Sequence, residues 1–387
     1  MVSVAKHKVA ICIPNMILGG VESVFCRTLD ELLTISDLEI IVLTHAKIKE
    51  PLYLDWFKAH PETHVYNYYP LQDIFERIKE YTNFPIIKTI RKLLFGAYKA
   101  YRRLFMRCVV NLKDIDVFID YKTCCFYKEL RRFTSKRKVV WIHGNVEYIQ
   151  NNGRGKHLEI YDRIIGLTDE FVDAFRAAYP QYSKRVVRIY NPINIDQIKS
   201  LAATGARAPY ENYFIHISRL DSDQKDLLTL IRAFNNFYID NYRPDVHLVI
   251  VGTGPRERML RKLASGLPCA NNITFTGGLF NPYAYMSGAM ANILSSNYEG
   301  LPTVLIEGQA LGVLNISSDC KYGPREILEN GKSGLLFPVG DADALSALMS
   351  DVYNNKIDVA TMIENGRKAV SRFSPEIIKE QIQGLLK

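Results

Sequence analysis

The stretch ANILSSNYEGLPTVLIEGQALGVLNISS, residues 291–318, decides how the chain is read. Ala291–Ser295 is an apolar run of strand length, and Val313–Ser317 is another. Between them Pro302, whose fixed φ suits a first helical turn, starts a helical segment over Thr303–Leu311. Strand, loop, helix and strand in so short a span read as a βαβ unit, the repeating piece of a parallel sheet. Two carboxylates mark the loop: Glu299 stands ahead of the helix and Glu307 inside it. Gly300 lets backbone amides approach a ligand closely, and the unpaired amides of a helix start favour anionic groups. Carboxylates there can accept hydrogen bonds from polyol hydroxyls while the amides between them face phosphate. The plainer alternative makes Glu299 a helix-start charge and Glu307 part of a solvated face, but TVLIEGQAL is very apolar for a solvated face.

The same alternation extends in both directions. Val9–Ile13, a loop PNMILGG, a helical pattern over Val21–Leu33 and Leu38–Leu43 form a first βαβ unit. Strand-like runs follow at Val117–Asp120, Val139–Ile142, Ile164–Leu167 and Val186–Ile189, with a helix over Asp169–Ala178 among them. After Asn191-Pro192 the stretch IDQIKSLAATGARAPYEN has a short polar tail of linker character, and a second series starts at Tyr213–Ile217. That series alternates helices over Leu227–Phe237 and Arg256–Ala264 with strands at His247–Val251 and Ile273–Phe275 before it reaches residue 291. The expected class is α/β, two doubly wound domains over residues 1–195 and 196–370, with a closing helix over 371–387. A chain of 387 residues is long enough for two such cores. In open α/β sheets ligands bind beyond the carboxyl ends of the strands, so a cleft between the halves is the expected site.

Composition excludes more than it names. A hydrophobic fraction of 48% and a charged fraction of 23% are ordinary for a globular protein and argue against disorder. No segment reaches the ~18 uninterrupted apolar residues of a membrane span, and the amino terminus, cut by Pro14 and Asn15, reads as a first strand and not as a signal peptide. Seven cysteines without a CxxC pair fit reduced thiols in a cytoplasm better than disulfides or a zinc site. The net charge of +8 favours a polyanionic partner without specifying which. VIVGTGP resembles a dinucleotide fingerprint, but Glu257 stands where the third glycine of GxGxxG belongs, which argues against hydride transfer.

Glu299-x7-Glu307 within NYEGLPTVLIEGQALG is similar to the EX7E signature of the family-four, nucleotide-sugar-dependent retaining glycosyltransferases of GT-B fold. The neighbourhood strengthens that resemblance: HISRLDSDQKDLLTLIRAF (216–234), VIVGTGPRERML (249–260), NITFTGG (272–278), SSDCKYGPREIL (317–328) and NGKSGLLFP (330–338) resemble the family's motifs in their order. NMILGGVES and WIHGN do so more faintly in the first half. The resemblance implies two Rossmann-like domains facing across a cleft, a nucleoside diphosphate sugar as donor and no cofactor or essential metal. It implies that Glu307 grips ribose hydroxyls, that Glu299 holds hydroxyls of the transferred sugar, and that Gly300, Leu301 and Pro302 carry amides and backbone toward the phosphates. Arg219 and Lys225 match the diphosphate-binding pair, where two cations would neutralise charge building on the leaving nucleoside diphosphate. Gly252 and Gly278 fall in matching turns, Gly19 and Gly20 in the glycine loop after the first strand, and His143 where the family has a histidine touching the sugar. Glu22, just beyond the glycines, is placed toward the acceptor. Three positions depart from the family's pattern: Asp226 for glycine, Gly308 for alanine and Leu314 for proline. Asp221-Ser222-Asp223 spells the metal-binding DxD of another architecture, but here it lies between the two cations and reads as turn residues.

Ile86–Arg107 carries seven basic residues and no acidic one, with Ile87, Ile90, Leu94, Ala97, Tyr98, Tyr101 and Phe105 at helical spacing. Such a helix suits an anionic membrane surface, where each cation near lipid contributes about 1 kcal/mol; a core helix with solvated cations is the alternative. Together these readings make the chain a hexosyltransferase that retains anomeric configuration, peripheral on the inner face of the cytoplasmic membrane, with a lipopolysaccharide, capsule or polyprenyl-linked glycan as acceptor and no nucleic-acid partner. With no obvious covalent nucleophile, front-face attack is the expected mechanism. A GT-B-like epimerase or phosphorylase and a non-catalytic polyanion-binding protein are the rival readings.

Overall fold

In a computed structural model of the chain, the structure describes residues 7–386 apart from 18, 68–92, 95, 98–99, 102–103, 106, 109–113, 221–222 and 243–244. Most of the basic segment Ile86–Arg107 and the first two residues of Asp221-Ser222-Asp223 therefore lie outside the described residues.

The chain divides into two compact units. The first comprises residues up to Gly166, Ala174–Ile189 and the segment from Lys379 onward; the second comprises Leu167–Asp173 and Tyr190–Ile378. Leu167–Asp173 belongs with the second because the Glu326 carboxylate accepts from the amides of Asp169 and Glu170, at 2.8 and 3.4 Å, while Glu170 accepts from the Tyr322 amide at 2.8 Å.

The first unit is built on a seven-stranded sheet: β1 (His7–Ile13), β2 (Leu38–Thr44), β3 (His64–Asn67), β4 (Val117–Asp120), β5 (Arg137–Trp141), β6 (Arg163–Gly166) and β7 (Val186–Arg188), in the order β3-β2-β1-β4-β5-β6-β7. The second carries β8 (Asn212–Ile217), β9 (Val246–Val251), β10 (Ile273–Gly277), β11 (Ala291–Leu294), β12 (Asn315–Ser318) and β13 (Leu335–Phe337), in the order β10-β9-β8-β11-β12-β13. Every pairing is parallel. In both sheets the order runs outward from the first strand and then reverses, so each has a switch point beside it: between β1 and β4, and between β8 and β11.

Continuous apolar runs make the central strands because helices cover both faces of a parallel sheet. Phe214, Ile215, Leu248, Val249 and Ile250 are fully buried, as are Val9–Ala10, Val139–Val140 and Phe118 in the first unit. The helix Leu227–Asn241 places Leu227, Leu230, Ile231, Phe234 and Phe237 on one buried face, each such burial contributing about 1.5–3 kcal/mol. Leu311 ends the helix Thr303–Leu311 because Gly312 takes a left-handed φ of 70° and returns its amide to Gln309 O. Val313 and Leu314, expected in the following strand, belong to that turn: the Val313 amide bonds to Gly308 O, and β12 starts at Asn315.

Candidate active site

The loops that follow β8 and β11 flank the switch point of the second sheet, and sequence-predicted site residues stand on both. After β8, Ser218–Leu220 leads past the exposed Arg219 to a short 3-10 turn, Asp223–Lys225. After β11, Ser295–Pro302 leads into the helix Thr303–Leu311, with Pro302 as N-cap at φ −71° and ψ 93°. The loops are stitched together: Ser295 Oγ donates to Lys225 O at 2.8 Å, the Asn297 amide to Gln224 O at 2.7 Å, and Asn297 Nδ2 to Asp223 O at 2.8 Å.

That stitching brings Lys225 and Glu299 together. Lys225 Nζ donates to Glu299 Oε1 at 2.7 Å, Ser296 Oγ donates to the same oxygen at 2.6 Å, and Gln224 Nε2 reaches Oε2 at 3.5 Å. Glu299 is 7% exposed. A cation and neutral donors thus compensate the enclosed carboxylate. Lys225 spends one of its three ammonium protons on this bond and keeps two for another acceptor. Cys320, buried near Glu299, has its thiol pushed up to about 12 by burial first and by that carboxylate second, so it stays a protonated thiol.

Glu307 is half-buried on the helix, where the Tyr283 hydroxyl donates to its Oε1 at 3.5 Å. Tyr283 begins the helix Tyr283–Ser287, after the loop that follows β10. Arg219, Lys225, Glu299 and Glu307 thus all stand at the carboxyl end of one sheet, and direct bonding joins Lys225 to Glu299. Beneath Arg219, the fully buried His216 pins the loop: its Nδ1 lies 2.8 Å from Ile293 O and its Nε2 2.7 Å from Ser218 Oγ. Because a carbonyl only accepts, Nδ1 carries the proton and Nε2 accepts from Ser218. Burial drives the His216 pKa down to about 4, against a smaller raising effect of the Ile293 bond, so the ring is neutral.

The glycines differ in what they do. A Cβ on Gly252 would lie 1.8 Å from Ser218 O, and its φ is 141°, so glycine is required for the β8 loop to cross β9. Gly278 meets no such constraint, since a Cβ there would make ordinary contact with Thr253 at 3.6 Å. The departure at Asp226 also has a local reason. Its φ of 41° is the left-handed region where glycine is the default, yet aspartate tolerates it and caps the next helix through Thr229, at 3.3 Å to the amide and 2.7 Å to the hydroxyl. At Gly308 a Cβ would come within 2.5 Å of Asn315 Oδ1, so Asn315 excludes alanine.

In the first unit Gly19 is the N-cap of the helix Gly20–Leu33, while Gly20 faces open space. Glu22, 3% exposed, accepts from Lys122 Nζ at 2.8 Å, and Lys122 follows β4. His143, just past β5, stacks near Trp141 and Tyr121, at centroid distances of 6.0 and 4.6 Å. Burial first and the Lys122 charge second lower its pKa to about 3. Sequence reasoning missed Ser296, Gln224, Tyr283 and Lys122. Ser296 and Gln224 are signalled only by standing beside Glu299 and Lys225 in loops that meet; Tyr283 and Lys122 had no local signal. Among the described residues no group of three or more His, Cys, Asp or Glu side chains could hold a metal ion.

Residues 200–369 match the family model of the glycosyl transferases group 1. An uncharacterized glycosyltransferase of Methanocaldococcus jannaschii is 32% identical over 173 residues, covering 43% of this chain and 42% of that one. The Campylobacter jejuni α-1,4-N-acetyl-D-galactosaminyltransferase acting on a GalNAc-containing, diNAcBac-PP-undecaprenol-linked saccharide is 28% identical over 205 residues, 52% of this chain and 55% of that one. The chain therefore spans about half the length of these curated relatives. The fold of Anabaena HepE, solved with UDP, superposes with a TM-score of 0.72 at 18% identity, over 98% of this chain and 99% of that one. The chain accordingly has the GT-B fold of these solved glycosyltransferases, and its residues 200–369 are similar to the glycosyl transferases group 1.

Proposed function

We propose that the chain is a retaining glycosyltransferase that moves a hexose-type sugar from a nucleoside diphosphate sugar to a hydroxyl of a membrane-linked glycan. The observation that carries this reading is the enclosed Lys225–Glu299 pair at the switch point of the second sheet, beside the start of the helix Thr303–Leu311. In this reading Lys225 holds Glu299 with one proton and offers the others to the diphosphate, while Arg219 adds a second cation. Both stabilise the charge that builds on the leaving nucleoside diphosphate. Glu299 orients hydroxyls of the transferred sugar, and Glu307 takes those of the ribose. Gly252, Gly278, Gly300, Leu301 and Pro302 supply close backbone, and His143 meets the sugar as a neutral imidazole. With no carboxylate assigned as a covalent nucleophile, the acceptor hydroxyl attacks on the leaving-group face and passes its proton to a donor phosphate oxygen. The relatives' names, among them a transferase acting on a polyprenyl-linked saccharide, and the UDP held by a protein of the same fold support donor and acceptor class.

The membrane-facing part of the proposal rests on the basic segment. Its described residues between 93 and 108 are helical, and Leu93, Leu94, Tyr101 and Leu104 are 71, 52, 51 and 63% exposed, which disfavours a core role for those side chains. No helix among the described residues is long and apolar enough to cross a membrane. Association with the cytoplasmic face through this helix is part of the same proposal.

Thermal-shift titration with UDP, GDP and ADP and their hexose conjugates tests the donor. At least one stabilises the protein, and NMR of the product shows the donor's anomeric configuration kept; absence of any shift across the panel sinks the proposal. Co-sedimentation with phosphatidylglycerol vesicles, and not with phosphatidylcholine vesicles, tests the membrane contact.

A further inference from the structure

The loop that follows β12 lies against the loop that carries Glu299. Lys321 O accepts from the Glu299 amide at 3.4 Å. Gly323, at φ 99°, leaves its side-chain space to Pro302 Cδ and Gly300 O, which a Cβ would approach to 2.5 and 3.1 Å. Between these two contacts Tyr322, 2% exposed, holds a left-handed φ of 65°. A bulky residue keeps such a backbone only where its surroundings impose it, and such positions gather where a ligand is gripped.

What imposes it is a pair of carboxylates exchanged between two segments of the second unit. Glu170 Oε2 accepts from the Tyr322 amide at 2.8 Å, and Glu326 Oε2, just beyond that turn, accepts from the amides of Asp169 and Glu170 at 2.8 and 3.4 Å. Each segment thus gives an acid to the backbone of the other. The clasp is fixed from several sides. Thr168 Oγ1 accepts from the Phe171 amide at 3.0 Å, the Tyr190 hydroxyl donates to Glu326 Oε1 at 2.6 Å, and Arg372 Nη2 donates to Glu326 O at 2.8 Å. The rings of Phe171 and Tyr322 meet edge to face at 6.1 Å.

We propose that Glu170 and Glu326 are positioning residues of the donor site: their crossed bonds hold the Tyr322 turn as a brace behind Glu299–Pro302, and so fix the backbone that faces the donor's phosphates. They act through that backbone. Amides at a helix start bind phosphate in proportion to how well they are aimed, and a loop ordered in advance does not lose affinity to ordering on binding. This rests on the proposed function insofar as the ligand of that loop is taken as a nucleoside diphosphate sugar.

The test uses the full chain and whichever of UDP, GDP and ADP binds it most tightly. Glu170→Ala leaves the Tyr322 amide without its acceptor and raises the nucleotide Kd by about tenfold or more, as does Glu326→Ala. Glu170→Gln stays within about threefold of the wild type, because its amide oxygen still accepts from Tyr322. Thermal melts run beside each titration. An unchanged Kd in Glu170→Ala, whatever its melting temperature, overturns the inference, and so does a loss in Glu170→Gln equal to that in Glu170→Ala. Should Glu326→Ala fail to fold, the exposed Glu170 decides alone. If a nucleotide binds and these Kd values do not move, this inference falls and the proposed function stands. If no nucleotide binds the wild type, the proposed function falls, and amide hydrogen exchange over residues 299–303 decides the brace: Glu170→Ala speeds it by about tenfold if the brace holds that loop, and an unchanged rate overturns it.

Discussion

Glu299 is an acid whose surroundings matter more than its spacing. Lys225 and Ser296 both donate to one oxygen, so replacing the carboxylate by an amide leaves the ammonium facing a neutral group inside an enclosed site. Under the proposed function, Lys225→Met is expected to lower kcat by about 10²–10³-fold because it removes a cation aimed at the charge building on the leaving diphosphate, and Glu299→Gln by a similar factor because it removes the acceptor for the sugar hydroxyls and the partner that fixes Lys225. Steady-state rates beside thermal melts check this: a melt near that of the wild type with a collapsed rate assigns the loss to chemistry. Gly252 obeys a different rule. A methyl there would collide with Ser218 O at 1.8 Å, and its φ of 141° suits no other residue. Gly252→Ala should therefore cost about 3 kcal/mol or more, read as a lowered urea midpoint. That loss is structural, since Ser218 carries the loop toward Arg219.

At the scale of elements, the helix Leu227–Asn241 shows why one sequence can leave its family's pattern without harm. Asp226 bears the strain of a left-handed φ and offsets it by capping Thr229. Asp226→Gly removes both effects, each about 1 kcal/mol, and should leave stability within about 1 kcal/mol of the wild type. Asp226→Ala keeps the strain and loses the cap, and should cost about 2 kcal/mol. Denaturant melts of the two variants distinguish the cases. The helix Thr303–Leu311 follows the same logic: Gly308 is small because Asn315, bonded to Asn292 and to Leu305 O at 2.8 and 2.9 Å, occupies the space of a Cβ. An apolar helix pattern is legible from residue spacing, whereas a polar cluster beneath the helix is not, because its members come from three separate elements.

For the whole molecule, buried histidines set an acid sensitivity. His143 and His216 have pKa values of about 3 and about 4, against about 6.5 in an unfolded chain. Between those limits the unfolded chain binds the extra protons, so these groups make stability rise with pH up to about 6.5 and fall as pH is lowered toward 4. Asp120, raised by burial to about 6, acts oppositely: its contribution is present at low pH and lost as pH rises through about 6. The melting temperature of His216→Gln should therefore depend less on pH between 4.5 and 6.5 than that of the wild type. An equal slope in the two proteins would contradict the neutral, doubly bonded ring. As neither histidine ionises near neutrality, His143 should contribute no limb to a pH–rate profile between pH 6 and 9, which activity measurements across that range check.

Much of the architecture was legible from residues alone. Apolar runs bounded by glycine and proline located central strands such as Tyr213–Ile217 and the helix Thr303–Leu311, because strand and helix impose short-range periods that side chains must obey. The carboxylates and cations of the second unit were legible through their motifs. Tertiary structure alone decided which of them meet. Lys225 and Glu299 are 74 residues apart and bond only because β8 and β11 are neighbours across the reversal in strand order. Lys122 and Glu22, 100 residues apart, meet at the corresponding reversal in the other sheet. Local spacing cannot encode such meetings, since strand order is set by the packing of helices on both faces of a sheet and not by any period within the chain.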